Sequence, residues 1–268
     1  MAFTSLKVFG ERNTGTNFLN SFLRSNTSLK VLSGGDGHRV QLKQECQSFI
    51  DVHGITDLLT QQLIKESLLD QKSLCRRQKN FGWKHAKVCP DSLSKITNFK
   101  DVVFVFIIRN PWKFINSLHQ KPYNLLPRPA ADLTLFVQSP IYANLRDQLS
   151  TRLINSPVEL WNQKVKSYFE FVEAYPRQSL IVFYEDLVLF PDQFAKRLSY
   201  FCKVSEQIVV PQDSTKKHRG DSKEYTEFCQ EVLNYDPKKA LGKTIFSLVK
   251  DRLDCNLLAK TPYSKYLG

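Results

Sequence analysis

Residues 10–17, Gly-Glu-Arg-Asn-Thr-Gly-Thr-Asn, are the segment best suited to hold an anion. An apolar run precedes them at residues 6–9, and an apolar run with helical spacing follows at residues 18–23. Backbone N–H groups and the dipole at a helix start bind anions. The loop lacks the lysine of nucleotide hydrolases, because Thr16 follows Gly15. The sequence therefore predicts a loop that binds a phosphorylated ligand without the lysine that nucleotide hydrolases use.

A second candidate follows the apolar run VVFVFII at residues 102–108, which ends in Arg109. A nucleotide hydrolase needs a magnesium-binding acid near such a strand end, whereas this chain offers a cation. Pro111 then opens a predicted helix, and Ser117 lies eight residues after Arg109. The spacing indicates that guanidinium and hydroxyl converge on one phosphate; the alternative for Arg109 is a structural ion pair.

Three apolar segments predict buried parallel strands, at residues 6–9, 102–108 and 180–184, with a weaker fourth at 80–84. Helical patterns separate them. We therefore expect one α/β domain over residues 1–268, with an open parallel sheet flanked by helices and ligands at the carboxyl ends of the strands.

The clearest predicted helix begins with Ser156 as N-cap and Pro157 at the first position, and it should stop before Pro176. The preceding segment, residues 121–157, is rich in proline and irregular. We expect it to be a lid or insertion over an acceptor site; the alternative is a surface excursion with short helices.

The composition fits a folded, basic protein. Of 268 residues 42% are hydrophobic, and 38 Lys and Arg against 26 Asp and Glu give a net charge of +12. Such a surplus favours an anionic partner over a merely basic surface. Six cysteines without a C-x-x-C pair predict reduced thiols and no metal site. With no signal-like or spanning apolar stretch, we expect a cytoplasmic protein without a membrane partner.

Four segments in order resemble the sulfotransferases that use 3′-phosphoadenosine-5′-phosphosulfate (PAPS), which have a P-loop-like domain. ERNTGTNFL resembles their 5′-phosphosulfate loop, P-K-S-G-T-T-W, and RNPWKFINS resembles their 3′-phosphate motif. WNQKVKSYF with YEDL resembles the helix and strand end that follow, and KKHRGDSKEYTEF resembles the closing R-K-G…G-D-W-K segment. Together they span residues 6–230.

The resemblance implies which residues hold the nucleotide. Asn13 stands where the family has its loop cation, so Arg12, one residue earlier, is expected to reach the bridging oxygen. Phe18 replaces the usual Trp and is expected to stack on adenine. Which of Lys217, His218 and Arg219 in the closing segment contacts the nucleotide stays open. The implied nucleotide contacts are Arg12, Asn13, Thr14, Gly15, Thr16, Asn17, Phe18, Arg109, Ser117, Tyr184, Lys217, His218, Arg219 and Gly220.

The resemblance also implies a catalytic base. FGWKHAK at residues 81–87 stands where the family has K-T-H-L-P. His85 is then the base for an acceptor hydroxyl or amine, and Lys84, with Arg12, neutralises the transferring sulfonate. On a regular strand these neighbours would face opposite sides, so both enter the site only if the strand has ended. His38 and His119 are rival bases, and His85 as a packed or surface histidine is the remaining alternative.

The implied reaction moves a sulfonate from PAPS to an acceptor and leaves 3′,5′-adenosine bisphosphate (PAP), without a metal or a nucleic acid partner. A small-molecule acceptor is favoured, and a carbohydrate stays open; the oligomeric state is not predicted. One alternative, a P-loop kinase or NTPase, needs a lysine after Gly15 and an acid after residues 102–108. The other, a non-catalytic polyanion binder, needs basic clusters interleaved with aromatics, whereas the clusters at 76–79 and 216–219 are short.

Overall fold

The computed structural model describes residues 3–34, 39–123, 125, 130–212 and 224–266, and of residues 39–43 the backbone alone. Its strands are β1 (Ser5–Phe9), β2 (Lys30–Val31), β3 (Val102–Ile108), β4 (Ile141–Tyr142), β5 (Leu153–Ile154) and β6 (Ser179–Phe183). Its helices are α1 (Thr16–Asn26), α2 (Arg39–Val52), α3 (Leu58–Cys75), α4 (Arg77–Asn80), α5 (Pro90–Ser94), α6 (Pro111–Gln120), α7 (Leu133–Gln138), α8 (Pro157–Ala174), α9 (Tyr184–Leu189), α10 (Pro191–Leu198), α11 (Tyr225–Leu233), α12 (Pro237–Lys250) and α13 (Cys255–Ala259).

The main sheet is parallel, with strand order β2-β1-β3-β6. The predicted α/β domain with an open parallel sheet is confirmed, as are its three main strands. In addition, β4 and β5 form a small antiparallel pair. Because β1 and β3 are neighbours, the segments that follow them meet at one edge of the sheet.

Both faces of β3 are buried, which explains its unbroken apolar sequence. Phe104 and Phe106 pack on one face with residues of α6 and α8, and Val103 and Val105 pack on the other with residues of α1. Alternate side chains of a strand point to opposite faces, so a strand covered by helices on both sides has no polar positions.

The weaker strand predicted at residues 80–84 is wrong. The helix α4 ends there, and Phe81 (φ 63°) and Gly82 (φ 81°) both take left-handed backbone conformations. Two such residues in succession cannot continue an extended strand. Phe81 and Trp83, the aromatic residues that suggested a strand, are buried in a turn instead, with side chains 3% and 5% exposed. The fourth strand is β2, too short to show a pattern.

The two predicted helix starts are confirmed. Ser156 caps α8 by accepting a hydrogen bond from the backbone of Glu159 (3.2 Å), and Pro157 is its first residue. Asn110 caps α6 by accepting from the backbone N–H groups of Trp112 and Lys113 (3.1 and 3.2 Å). The cap directly follows Arg109, so it fixes where that side chain leaves β3.

The helix α3 packs by its polar side chains. Its buried residues are Glu66, Asp70 and Ser73, whereas Leu58 and Leu59 are 78% and 53% exposed. Both acids form ion pairs with the fully buried Arg146. Charge pairing therefore attaches this helix to the body of the protein.

The six cysteines all lie within the described ranges and carry no disulfide. None of the helices in the part of the chain that the structure describes has both the length and the apolar character that crossing a membrane requires.

Phe104 is the test of the sheet core, since it has no exposed surface and its ring packs on those of Phe9, Phe81 and Phe171. Phe104→Ala should lower the free energy of unfolding by about 3–5 kcal/mol, measured by urea titration. Leu58→Ala, an exposed control, should change it by less than about 0.5 kcal/mol. Equal effects of the two substitutions would contradict this description of the core.

Candidate active site

The loop between β1 and α1 is a tight turn with an open helix start behind it. Thr14 donates its backbone N–H and its hydroxyl to the carbonyl of Glu11 (3.2 and 2.6 Å). Gly15 has φ 89°, and a Cβ there would lie 2.3 Å from the ring of Tyr184. Gly15 is the N-cap of α1, and no side chain caps this end among the described residues. The first amides of α1 can therefore serve an anion.

Lys84 lies at the head of α1. Its Nζ donates to Oδ1 of Asn17 (2.7 Å), and its carbonyl accepts from the backbone N–H of Gly10 (2.9 Å). Its own N–H donates to the carbonyl of Gly34 (3.0 Å), where a Cβ would stand 2.5 Å from the Cβ of Lys84. The ammonium group is thus held beside the first turn of α1, and its role toward a sulfonate stays a prediction.

His85 also reaches the loop, because residues 83–86 form a turn in which neighbours need not alternate. Its Nδ1 lies 2.6 Å from the carbonyl oxygen of Gly10. A carbonyl can only accept, so Nδ1 carries the proton and Nε2 has a lone pair. Burial, followed by the charges of Lys84 and Arg12, lowers the pKa of His85 well below its ordinary value. The ring is therefore a neutral base at physiological pH.

Arg109 approaches the loop from the end of β3. Its Nη1 donates to the carbonyl of Asn13 (2.6 Å), and its guanidinium lies 4.6 Å from the ring centroid of Tyr184. Trp161 Nε1 donates to the carbonyl of Arg109 (3.1 Å) and fixes its backbone. Arg109 Nε is buried and has no hydrogen-bond partner in the described part of the chain. A buried donor of this kind suits an anionic ligand.

Ser117 is joined to the same loop residue. Nδ2 of Asn13 donates to the carbonyls of Ser117 (3.3 Å) and Lys121 (3.1 Å) at the end of α6. Asn13 adopts φ 63°, which turns its side chain and its carbonyl toward these partners. The structure therefore brings the Arg109 side chain and the Ser117 backbone to the same loop residue. Convergence of the guanidinium and the hydroxyl on one phosphate stays a prediction.

Arg12, by contrast, is 2% exposed and turned away from the head of α1. Its Nη1 and Nη2 donate to the two carboxylate oxygens of Asp147 (both 3.0 Å), and Nη1 also donates to Glu11 (2.7 Å). Its guanidinium lies over the ring of Trp83, 4.5 Å from the centroid. In this structure the ammonium group of Lys84, and not the guanidinium of Arg12, lies at the head of α1.

These contacts belong to a buried set of four charged residues, which we call the loop ion cluster: Glu11, Arg12, Asp147 and Lys164. Lys164 forms ion pairs with Glu11 and Asp147 and donates a further hydrogen bond to the carbonyl of His85. Burial alone would raise the pKa of Asp147, but Arg12 and Lys164 hold it well below its usual range. Sequence reasoning missed Asp147 and Lys164, although a lysine at helical spacing from Leu160, Trp161 and Tyr168 was a usable signal.

Phe18 is 2% exposed and does not present a free face. Its ring stacks against Tyr225 (centroids 6.5 Å apart, planes 9° apart) and meets Tyr184 edge-on (6.4 Å). The expected stacking of Phe18 on adenine therefore requires Tyr225 to give way.

A cavity of about 240 Å³ opens beside Arg109, between the strand ends and the helices α9 and α11. It combines cations, tyrosines and carboxylates; its lining includes Arg109, Lys113, Tyr184, Glu185, Phe228 and Tyr235.

Of the rival bases and the closing residues, only His119 lies in the part of the chain that the structure describes, and its Nε2 is 2.8 Å from the carbonyl oxygen of Ala130. The rest lie outside the described residues: His38, Lys217, His218, Arg219 and Gly220. Within the described ranges, no group of three or more His, Cys, Asp or Glu side chains is arranged to hold a metal ion.

Comparisons with known proteins find similarity among solved structures alone. No family model matches the chain, and no curated protein sequence matches it. A sulfotransferase domain from the curacin biosynthetic pathway is 14% identical, with TM-score 0.38, over 94% of this chain and 91% of that one. A sulfotransferase from Alicyclobacillus acidocaldarius is 13% identical, with TM-score 0.43, over all of both chains. A sulfotransferase domain from the Synechococcus PCC 7002 olefin synthase is 12% identical, with TM-score 0.40, over 92% and 93%.

The loop ion cluster makes the free energy of unfolding depend on pH. Asp147→Asn leaves two buried cations short of a carboxylate and should lower the free energy of unfolding by about 3–5 kcal/mol at pH 7. The depressed pKa of Asp147 stabilises the fold above about pH 4, and this contribution is lost as pH falls further. In urea titrations the difference between wild type and Asp147→Asn should therefore shrink at pH 3.

The exposed Asp101→Asn is the matched control and should be neutral at both pH values. A penalty for Asp147→Asn that stays the same at pH 7 and pH 3 would argue against the ion pairs as its source.

Proposed function

We propose that this protein is a sulfotransferase that moves the sulfonate of PAPS to a hydroxyl or amine of an acceptor. One observation carries the proposal: a neutral histidine, His85, and a lysine, Lys84, meet the anion loop at the sheet edge where Arg109 also reaches it. A base, a cation for the transferring group and a cation for a second phosphate are the groups this reaction needs.

Three residues are proposed to hold the 3′-phosphate of the nucleotide. Arg109 supplies charge and the unpartnered Nε, Ser117 supplies its hydroxyl, and Asn13 bridges the two. The cavity beside Arg109 is large enough for a nucleobase, and Tyr184 lines it. The uncapped amides of α1 take the anionic end of the 5′-phosphosulfate.

His85 is proposed as the general base. Its Nε2 accepts the proton of the acceptor O–H or N–H while the acceptor atom bonds to sulfur. The bond between sulfur and the 5′-phosphate oxygen breaks, and its electron pair stays on that oxygen, which leaves PAP. The bond from Nδ1 to Gly10 keeps the ring in the tautomer that this step requires.

Lys84 is proposed to neutralise the charge on the sulfonate and on the leaving oxygen. This assigns to Lys84 the part that the resemblance also gave to Arg12, whose guanidinium is engaged by Asp147 and Glu11. Arg12 then supports the loop from behind and does not contact the ligand.

The alternatives have less support. A P-loop kinase or NTPase needs an acid after β3, and Arg109-Asn110-Pro111 follows it. A polyanion binder needs no buried, oriented histidine beside its anion loop. A small molecule or carbohydrate with a free hydroxyl or amine is the proposed acceptor.

Nucleotide preference tests the proposal. PAP should raise the melting temperature without Mg²⁺, and ADP or ATP should do so far less, because only PAP carries a 3′-phosphate for Arg109. Arg109→Ala should weaken PAP binding about 10–100-fold by removing charged hydrogen bonds. The exposed Arg177→Ala is the control and should bind PAP as wild type does. An equal rise in melting temperature with ATP and Mg²⁺ as with PAP would contradict the proposal.

The base is tested separately. His85→Ala should bind PAP normally and lose about 10²–10⁴-fold in turnover, measured by sulfonate transfer from PAPS to an acceptor found by screening. His119→Ala, the rival base, should keep its turnover. Because the pKa of His85 is well below its ordinary value, kcat/KM should stay level from pH 8 to about pH 6.5. Loss of turnover in His119→Ala instead would reassign the base.

A further inference from the structure

Lys7 is an unexpected residue in the middle of β1. Its side chain has no exposed surface, and its strand neighbours Leu6 and Val8 are buried core residues as well. Burying an ammonium group is costly unless a carboxylate compensates for it. The fully buried Lys164 has two such partners, whereas the partners described for Lys7 are two backbone carbonyls and the ring of Phe9.

The two carbonyls match the neutral form of the amine. Nζ of Lys7 donates to Gly82 O (2.5 Å) and to Ser33 O (3.1 Å). A neutral amine has two N–H groups, so both of its donors are satisfied. Burial, helped by the charge of Lys84, lowers the pKa of Lys7 to about 7.

Both carbonyls belong to backbone that holds Lys84. Gly82 lies two residues before it, and Ser33 precedes Gly34, whose carbonyl accepts the N–H of Lys84 (3.0 Å). Gly10 of the loop then forms two hydrogen bonds with this segment: its N–H donates to Lys84 O, and its carbonyl accepts from His85 Nδ1. Lys7 is therefore the strand residue that ties down the segment carrying the base and the cation.

We propose that Lys7 is a positioning residue, which holds residues 82–85 so that His85 and Lys84 face the anion loop. What those two residues then do rests on the proposed function; their placement does not. A methionine would fill the same space without desolvating an amine, so the hydrogen bonds are the physical reason for a lysine here. Gly82, with φ 81°, needs such an anchor because it is free to adopt several conformations.

The test compares Lys7→Met with Lys30→Met, an exposed lysine on the neighbouring strand β2. Lys7→Met should bind PAP within about two-fold of wild type, because Arg109 and Asn13 are untouched, and should lose at least about ten-fold in kcat. In NMR titrations without any nucleotide, the pKa of His85 should rise toward about 6.5 as its burial loosens. Lys30→Met should match wild type in all three.

A wild-type His85 pKa and an unchanged kcat in Lys7→Met would overturn the proposal. If Lys7→Met does not fold, the wild-type protein decides: titrating Lys7 through its pKa near 7 should shift the His85 Nδ1–H resonance in step. No shift would count against the positioning role. A moved His85 pKa in a protein that transfers no sulfonate would leave Lys7 as proposed and refute the sulfotransferase function.

Discussion

The bidentate ion pair between Arg12 and Asp147 is the interaction on which the site depends most. Both partners are buried, so each would be strongly destabilising without the other, and two hydrogen bonds of 3.0 Å join the guanidinium to the carboxylate. Lys164 adds a second cation and extends the cluster to the backbone of His85. One side of the loop is thereby fixed to α8 and to residues 145–147, which leaves its other side, with Asn13, to face Arg109.

This fixing leaves two cations, Lys84 and Arg109, beside the loop. Lys84 lies at the positive end of α1, and Arg109 stands across the loop with an unpartnered Nε. An anion at the loop would interact favourably with both groups. The fold has already placed them, so they need little reorganisation when a charge arrives. Burial, together with the charges of Lys84 and Arg12, lowers the pKa of His85 and keeps its ring neutral.

Local patterns predicted the elements, and long-range contacts decided the side chains. The strand β3 and the start of α8 have the predicted positions because apolar β-branched runs and a Ser-Pro cap act within a few residues. The turn at Phe81 and Gly82 was missed because buried aromatics look alike in strands and in packed turns. Arg12 is drawn into the loop ion cluster by Asp147, which lies 135 residues away from it, and no spacing rule reaches that far. Lys7 was visible in the sequence as a charge inside an apolar strand, and its meaning required the carbonyls of Gly82 and Ser33.

The polar attachment of α3 should respond to temperature differently from the apolar core of the sheet. Contacts among apolar side chains weaken on cooling, whereas the cost of desolvating charges falls on heating. Glu66 and Asp70 hold α3 to Arg146, so opening this helix would leave a fully buried guanidinium without its carboxylates. The exposed Leu58 and Leu59 take no part in these ion pairs, so substitutions there should leave the attachment intact.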